Sequence, residues 1–339
     1  LMLDFGIIIN FAYLPFVWNS EAKDKAKVHC VIIGFSKNNW REKKIFDTTG
    51  QVNKVEFING YLLGAKSVFI ESRATPIEDV FEMGIGNKPI DGGNYLFNEE
   101  EMHSFIEIEP SSRKYFKKWF GAQEFINRKN RFCLWLGEAT PSELRSMPNV
   151  LKRIEAVRNY RLSSPSEGTR KIAEKPTRFH VENMPRGNYL LVPRVSSENR
   201  RYIPMGFMTP NDLASDAVQI VPDASLYDFG VLTSNVHMAW MRTVAGRLKS
   251  DYRYSAKIVY NNFPWPKVTE EQREFISKTA QAILDARSLY PESTLADLYD
   301  ELTMPAELRK AHQENDIAVM KAYGMIKKVG GKDKFMTES

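Results

Sequence analysis

Four strand-like runs fill the first 57 residues, and no stretch of helical spacing separates them. Residues 3–18 and 26–37 are rich in Ile, Val and Phe and are joined by a polar turn at 19–25. Gly34 ends the second run, and a further pair around Ile45 and Val55 turns at Thr49-Gly50. Alternating strands and helices would signal a complete doubly wound domain. Their absence marks this sheet as the closing edge of a larger α/β domain. The last third reads the opposite way, as helices at 232–244, 270–289 (capped by Thr269), 297–302 and 305–323. The fold class expected is therefore α/β in the mixed α+β sense. From Lys327 the tail is polar and contains Gly-Gly, so 326–339 is expected to be flexible.

The middle mixes both periods. Residues 68–71 are strand-like and 84–93 form a glycine-rich loop. Asn98 caps a helix through Ile106, with Glu99, Glu100 and Glu101 suited to its positive end. Ser111 or Ser112 caps another through Phe120, and 131–136 is a strand. Thr140 opens a helix with Pro141 in its first turn. Over 149–162, Val150, Ile154, Val157 and Arg161 recur at helical spacing. Residues 189–195 and 202–208 are strands around the polar turn 196–201.

A chain of 339 residues exceeds one ordinary core and implies two or three domains. Cys30 and Cys133 are the only cysteines, which excludes a disulfide framework or a cysteine-rich zinc site. Both lie in apolar runs, as buried free thiols would in a reducing, cytoplasmic setting. The apolar run 5–18 contains Asn10 and Pro15, is too short to span a bilayer, and lacks the basic start of a secretion signal. No membrane partner is expected. Because the chain begins at Leu1 inside a strand-like run, it is expected to be a fragment of something longer.

Overall charge is a weak clue: 47 basic against 42 acidic residues leave +5. Its distribution says more. Between residues 111 and 175, fifteen Lys/Arg face six Glu, whereas 71–109 is acidic. Such segregation suits a face meant for a polyanion. The sharpest local signal is Gly246-Arg-Leu-Lys-Ser-Asp-Tyr-Arg-Tyr, continuing to Pro266. It interleaves Arg247, Lys249, Arg253 and Lys257 with Tyr252, Tyr254 and Tyr260. Cations neutralise phosphates, and flat phenol rings cover sugars or unstacked bases. A second basic, hydroxyl-rich turn carries Arg194, Ser196, Ser197, Arg200 and Arg201, residue types that read base edges and hold phosphates.

Complete catalytic motifs are missing. In the loop 84–93, Lys88 is followed by Pro89 rather than Ser/Thr, and no third glycine opens a helix, so neither nucleotide fingerprint holds. Contact between DNA phosphate and the loop at Lys88 remains open. Asn261-Asn-Phe-Pro-Trp-Pro266 has the wrong order for the Asn-Pro-Pro-aromatic loop of amino methyltransferases, and a structural role is favoured. Glu42-Lys43-Lys44 could be half of a nuclease motif, without a matching Asp upstream. The five histidines are dispersed and form no zinc pair, so no metal site is assigned.

Several longer motifs coincide: Ile58-Asn-Gly-Tyr-Leu-Leu63, Gly86-Asn-Lys-Pro-Ile-Asp-Gly-Gly-Asn94, Pro193-Arg-Val-Ser-Ser-Glu198, Tyr202-Ile-Pro-Met-Gly206 and Gly230-Val-Leu-Thr-Ser-Asn-Val-His-Met-Ala-Trp240. With 246–266 they make residues 5–325 closely resemble the carboxy-terminal half of MmeI-like DNA methyltransferases, type II restriction–modification enzymes. The resemblance implies that 1–57 are the last strands of a Rossmann-like adenine methyltransferase domain. It further implies a target recognition domain at 58–222 and a helical, DNA-bracing domain at 223–325. Phe16, in Phe11-Ala-Tyr-Leu-Pro-Phe16-Val-Trp18, would help hold a flipped adenine, although Leu14 stands where the family often has a basic residue. The S-adenosylmethionine loop and the catalytic motif are absent, so no catalytic residue is assigned. The implied cofactor is S-adenosylmethionine, bound outside this sequence, with Mg only where a nuclease is present. The implied partners are double-stranded DNA and the rest of the methyltransferase domain, in a prokaryotic cytoplasm. Alternatives are a stand-alone, non-enzymatic DNA-binding module or an RNA-directed protein.

Overall fold

The computed structural model of the chain describes residues 5–18, 28–329 and 332–335. The polar turn at 19–25, the first four residues and the last four lie outside the described residues. The N-terminal runs form one sheet from β1 (Ile8–Trp18), β2 (Val28–Ser36), β3 (Lys43–Phe46) and β4 (Val52–Val55), in the order β2-β1-β3-β4. β1 is antiparallel to β2 and parallel to β3. Its register against β2 slips between Tyr13 and Phe16, a stretch that contains Pro15. Proline cannot donate to a ladder, and a bulge relieves that demand. Gly34 allows the ring of Phe11 to lie across β2, since a Cβ there would stand 1.9 Å from that ring. β2 forms an edge, and Val31, Ile32, Ile33 and Phe35 on it are all exposed.

Residues 59–83 contain no strand. The run 68–71 has no ladder partner; Ile70 N–H instead donates to the Tyr61 hydroxyl at 3.3 Å. Asn261 and Asn262 secure the adjoining backbone, donating to Arg73 O at 3.0 Å and Glu71 O at 2.9 Å. The Asn-Asn-Phe-Pro-Trp-Pro segment is thus structural, its asparagines tying this backbone while Trp265 packs in the core.

The middle of the chain contains β5 (Gly84–Ile85), β6 (Leu96–Phe97), α1 (Glu99–Ile108), β7 (Phe116–Phe120), α2 (Ala122–Asn127), β8 (Phe132–Leu134) and α3 (Pro141–Arg145). After these come α4 (Pro148–Leu162), α5 (Glu167–Lys171), β9 (Tyr189–Pro193), β10 (Val195–Ser196), β11 (Gly206–Met208), β12 (Asp212–Ala214) and β13 (Val218–Pro222). Two four-stranded sheets result, β11-β9-β13-β5 and β12-β7-β8-β6. Asn98 and Thr140 start their helices with reciprocal capping boxes to Glu101 and Glu143. The helix expected at 111–120 is instead a 3-10 turn (Pro110–Tyr115) leading into β7. Pairing with β8 and β12 overrides the helical spacing of Tyr115 and Trp119.

The C-terminal part contains α6 (Leu226–Leu232), α7 (Asn235–Val244), the hairpin β14 (Gly246–Leu248) and β15 (Asp251–Arg253), α8 (Glu270–Ser288), α9 (Leu295–Leu298) and α10 (Ala306–Ala322). The single helix expected at 232–244 begins only at Asn235, because the Ser234 hydroxyl takes the His237 N–H and caps α7 there. The tail is not featureless: β16 (Ile326–Val329) pairs antiparallel with β17 (Lys332–Phe335). One apolar core joins Leu190, Val192 and Val221 of the sheets to Phe229, Ile276, Ile283 and Val319 of the helices. It runs straight across 222/223, where the sequence suggested a boundary. No helix among the described residues is long and apolar enough to cross a membrane.

Candidate nucleic-acid interface

Lys88 is held by its own backbone. Its N–H donates to Val181 O at 2.9 Å, and its carbonyl accepts from His180 N at 2.9 Å. The preceding Asn87 is fully buried, donating to Ala214 O at 2.9 Å and accepting from Asn183 N at 2.8 Å. Gly86 allows this pinning: a Cβ would stand 2.3 Å from Ser215 O, and backbone cannot yield. The exposed Lys88 ammonium then lies 3.9 Å from Asp216 Oδ2. From the other side, Arg194 Nη1 donates to Asp216 O at 2.6 Å. Asp216 thus brings together two cations 106 residues apart in sequence.

Arg194 leads into the hairpin. Its carbonyl accepts from Tyr254 N at 2.7 Å, while Val195 and Ser196 pair with Arg253 and Tyr252 of β15. Ser196 is buried with its hydroxyl unpartnered, so it does not face solvent. The half-buried Ser197 makes a turn, accepting from Asn199 N at 3.3 Å and Arg200 N at 3.2 Å. Arg200 is also half-buried, and desolvation pulls its guanidinium pKa down despite Asp251 and Asp300. Arg201 is exposed over the Tyr202 ring at 5.6 Å, with its carbonyl held by Arg242 Nη2.

The hairpin corrects the sequence expectation. Period-two alternation sends Tyr252 and Tyr254 to one face, and that face is the core: they are 8% and 1% exposed. Tyr254 shares a 2.8 Å hydrogen bond with His237 Nε2, and burial pushes its hydroxyl pKa far above normal. Neither ring is free to stack on a nucleic acid, and Tyr260 is buried too. Arg247, Lys249 and Arg253 stay exposed. Arg247 lies 3.7 Å above the Tyr252 ring and donates to Ser250 O at 2.7 Å. Lys249 sits at the turn with φ +57°.

Glu198 links this region to the first sheet, standing 3.7 Å from Arg247 Nη1 and 3.9 Å from His29 Nε2 on β2. One residue beyond His29, Cys30 pairs with Phe16 at the end of the β1 bulge. The Phe16 ring is half-exposed and 6.3 Å from that of Trp18. Contacts therefore run from Lys88 through Asp216, Arg194 and the hairpin to Glu198 and His29 on β2, whose neighbour Cys30 pairs with Phe16 of β1. Sequence reading missed Asp216, His180 and Glu198 as members. The strands flanking Asp216 are three and five residues long, too short to display a strand period. Among the described residues no three His, Cys, Asp or Glu side chains converge as metal ligands would.

Three family models match the chain in succession: the MmeI DNA-methyltransferase domain over residues 1–47, the MmeI target recognition domain over 64–267 and the MmeI C-terminal domain over 268–334. DNA methyltransferase A of Bacillus subtilis (strain 168) is 40% identical over 322 residues, covering 95% of this chain and 36% of that protein. The solved structure of the type IIL restriction-modification enzyme MmeI in complex with DNA matches with a TM-score of 0.90 at 48% identity, covering 95% of this chain and 44% of that one. The chain thus spans less than half the length of either relative. The hairpin and the whole line from Lys88 to Arg253 fall inside the target-recognition match. The chain belongs to the MmeI family and carries its target recognition domain, its C-terminal domain and part of its DNA-methyltransferase domain.

Proposed function

We propose that this chain provides sequence-specific recognition of duplex DNA to a site-specific adenine methyltransferase of a restriction–modification system. The carrying observation is the connected line itself. Lys88, Arg194, Arg247, Lys249 and Arg253 come from three separate segments, and contacts through Asp216, β10 and Glu198 tie those segments to β2, which pairs with the strand of Phe16. In this reading Lys88 and Arg194, oriented by Asp216, approach base edges in the major groove. Lys249, Arg253 and Arg201 lie against phosphates. Phe16 stacks on the extruded adenine. The half-buried Ser197 and Arg200 shape the loop that presents Arg201, and Ser196, Tyr252 and Tyr254 hold the hairpin from inside.

The edge strand supports a second component. Val31, Ile32, Ile33 and Phe35 are consecutive or alternate residues on one strand, and both faces of β2 are exposed. Such an edge suits docking by the remainder of a methyltransferase domain better than a stand-alone module. Among its described residues the β1–β4 sheet contains no strand-to-helix turn, so they do not fit a site for S-adenosylmethionine. That cofactor would be bound by the docked remainder, in the cytoplasm of a prokaryote.

The test is equilibrium binding by the full-length protein carrying this chain, with target and scrambled duplexes over a series of salt concentrations. Tight, strongly salt-dependent binding with preference for one sequence is expected. Binding that ignores salt, or prefers structured RNA, rules the reading out.

A further inference from the structure

Glu198 stands in a cleft of about 270 Å3 between the first sheet and the β14–β15 hairpin, lined by Pro15, His29, Cys30, Arg247 and Lys249. Each carboxylate oxygen faces a different side chain, Oε1 the His29 imidazole at 3.9 Å from Nε2 and Oε2 the Arg247 guanidinium at 3.7 Å from Nη1. Charge-assisted hydrogen bonds close to about 2.8 Å, so neither pair is saturated. The three side chains are 34–40% exposed, and such pairs are weak. A carboxylate presents two oxygens and one negative charge, as the non-bridging edge of a phosphodiester does. Arg247, already oriented by Tyr252 and Ser250, offers the fork that recognises that edge.

We propose that this cleft binds one backbone phosphodiester of a DNA strand, and that Glu198 fills it as an internal substitute until DNA displaces it. The proposal rests on the duplex-recognition reading above and adds the residue that opposes it. Cys30 lines the cleft and pairs with Phe16, so the bound phosphate lies one strand away from the aromatic assigned to the extruded base. The competition is independent of base sequence. Its removal therefore tightens every duplex by the same factor.

The experiment compares the full-length protein with its Glu198→Gln variant on target and scrambled duplexes over a salt series. Both duplexes should bind several-fold more tightly, and the slope of log affinity against log salt should steepen by about one. Adding Arg247→Gln should return the slope to the parent value. An E198Q protein with unchanged melting temperature, unchanged affinity and unchanged slope overturns the proposal. Should E198Q fold poorly, R247Q alone decides: it must flatten the slope by about one on both duplexes, and an unaltered slope overturns the idea. Stabilisation of E198Q by inorganic phosphate at constant ionic strength, without tighter duplex binding, would assign the cleft to a free anion and also overturn it. Loss of salt-dependent binding in the parent protein itself would instead sink the broader reading.

Discussion

Arg161 donates from Nη2 to the carbonyl of Pro89 at 2.9 Å, joining the last turn of α4 to the loop that presents Lys88. The same guanidinium also donates to the carbonyls of Ile90, Ile172, Lys175 and Arg178, at 2.8–3.1 Å. It is fully buried with no carboxylate among its acceptors, and desolvation pulls its pKa down. Backbone carbonyls take its hydrogen bonds, with the Asp91 carboxylate close enough to favour the charge, so Arg161 works as a clip for two loops. Replacing it with Met leaves these carbonyls short of donors in a dry site. Arg161→Met should lose about 3 kcal/mol or more in urea unfolding. Lys has a compact ammonium without the planar fork and should recover only part. A midpoint within error of the parent protein would contradict this account.

Tyr202 and Asp316 form a second seam, between the recognition loop and α10. The hydroxyl donates to Asp316 Oδ2 at 2.7 Å, while Oδ1 takes the Asn235 N–H at the start of α7, also at 2.7 Å. Burial raises the Asp316 pKa, opposed by these two hydrogen bonds. A raised carboxyl favours the folded state below its unfolded pKa, and that advantage is lost as pH rises through the folded value. Tyr202→Phe removes one opposing bond and raises the folded pKa further. Its destabilisation, about 1–3 kcal/mol at neutral pH, should therefore shrink at pH 4. Paired denaturation curves at pH 7 and pH 4 would show this, and an equal loss at both would refute it.

His237 sets an acid limit. Complete burial lowers its pKa to about 3, and burial likewise depresses that of His312. Both must be neutral in the fold. A depressed histidine contributes stability that is present above its unfolded pKa, near 6.5, and is lost as pH falls toward the folded value. Stability should decline between about pH 6.5 and pH 3, by several kcal/mol for His237 alone. His237→Phe should flatten that decline, although at neutral pH it leaves the Tyr254 hydroxyl unpartnered. An unchanged acid slope in that variant would reject the assignment.

Local signals in the sequence were sufficient where they were strong. Asn98, Thr140 and Thr269 start helices as read, because a capping side chain and its partner three residues on specify the turn without outside help. The helical spacing around Val150 and Val157 placed Arg161 on the apolar face, and there it is buried. Non-local pairing was what the sequence hid. β7 is a strand only because β8 and β12 flank it, and β12 and β13 are too short to display a period. The interface suffered most on this account. Alternating Arg and Tyr in the hairpin suggested one mixed surface, yet along β15 strand alternation sends Arg253 to solvent and Tyr252 and Tyr254 to the core, with Arg247 covering Tyr252. Asp216 and Glu198 could not be recognised as hubs, because each acquires its meaning from residues far away in sequence.

That division makes a sharp experiment. Lys249 and Arg253 are exposed cations on the hairpin, whereas Tyr254 is buried with its hydroxyl on His237 at 2.8 Å. If the cations meet phosphates, Lys249→Ala and Arg253→Ala should each weaken target and scrambled duplexes alike and flatten the salt slope by about one. Arg194→Ala, at a proposed base reader, should chiefly relax preference at one position of the site, by about 1–3 kcal/mol. Tyr254→Phe preserves the buried ring and removes only its hydroxyl. It should lower the unfolding free energy by about 1 kcal/mol and leave the salt slope untouched. A flattened slope in Tyr254→Phe would mean that the phenol reaches DNA after all, and that the hairpin opens on binding.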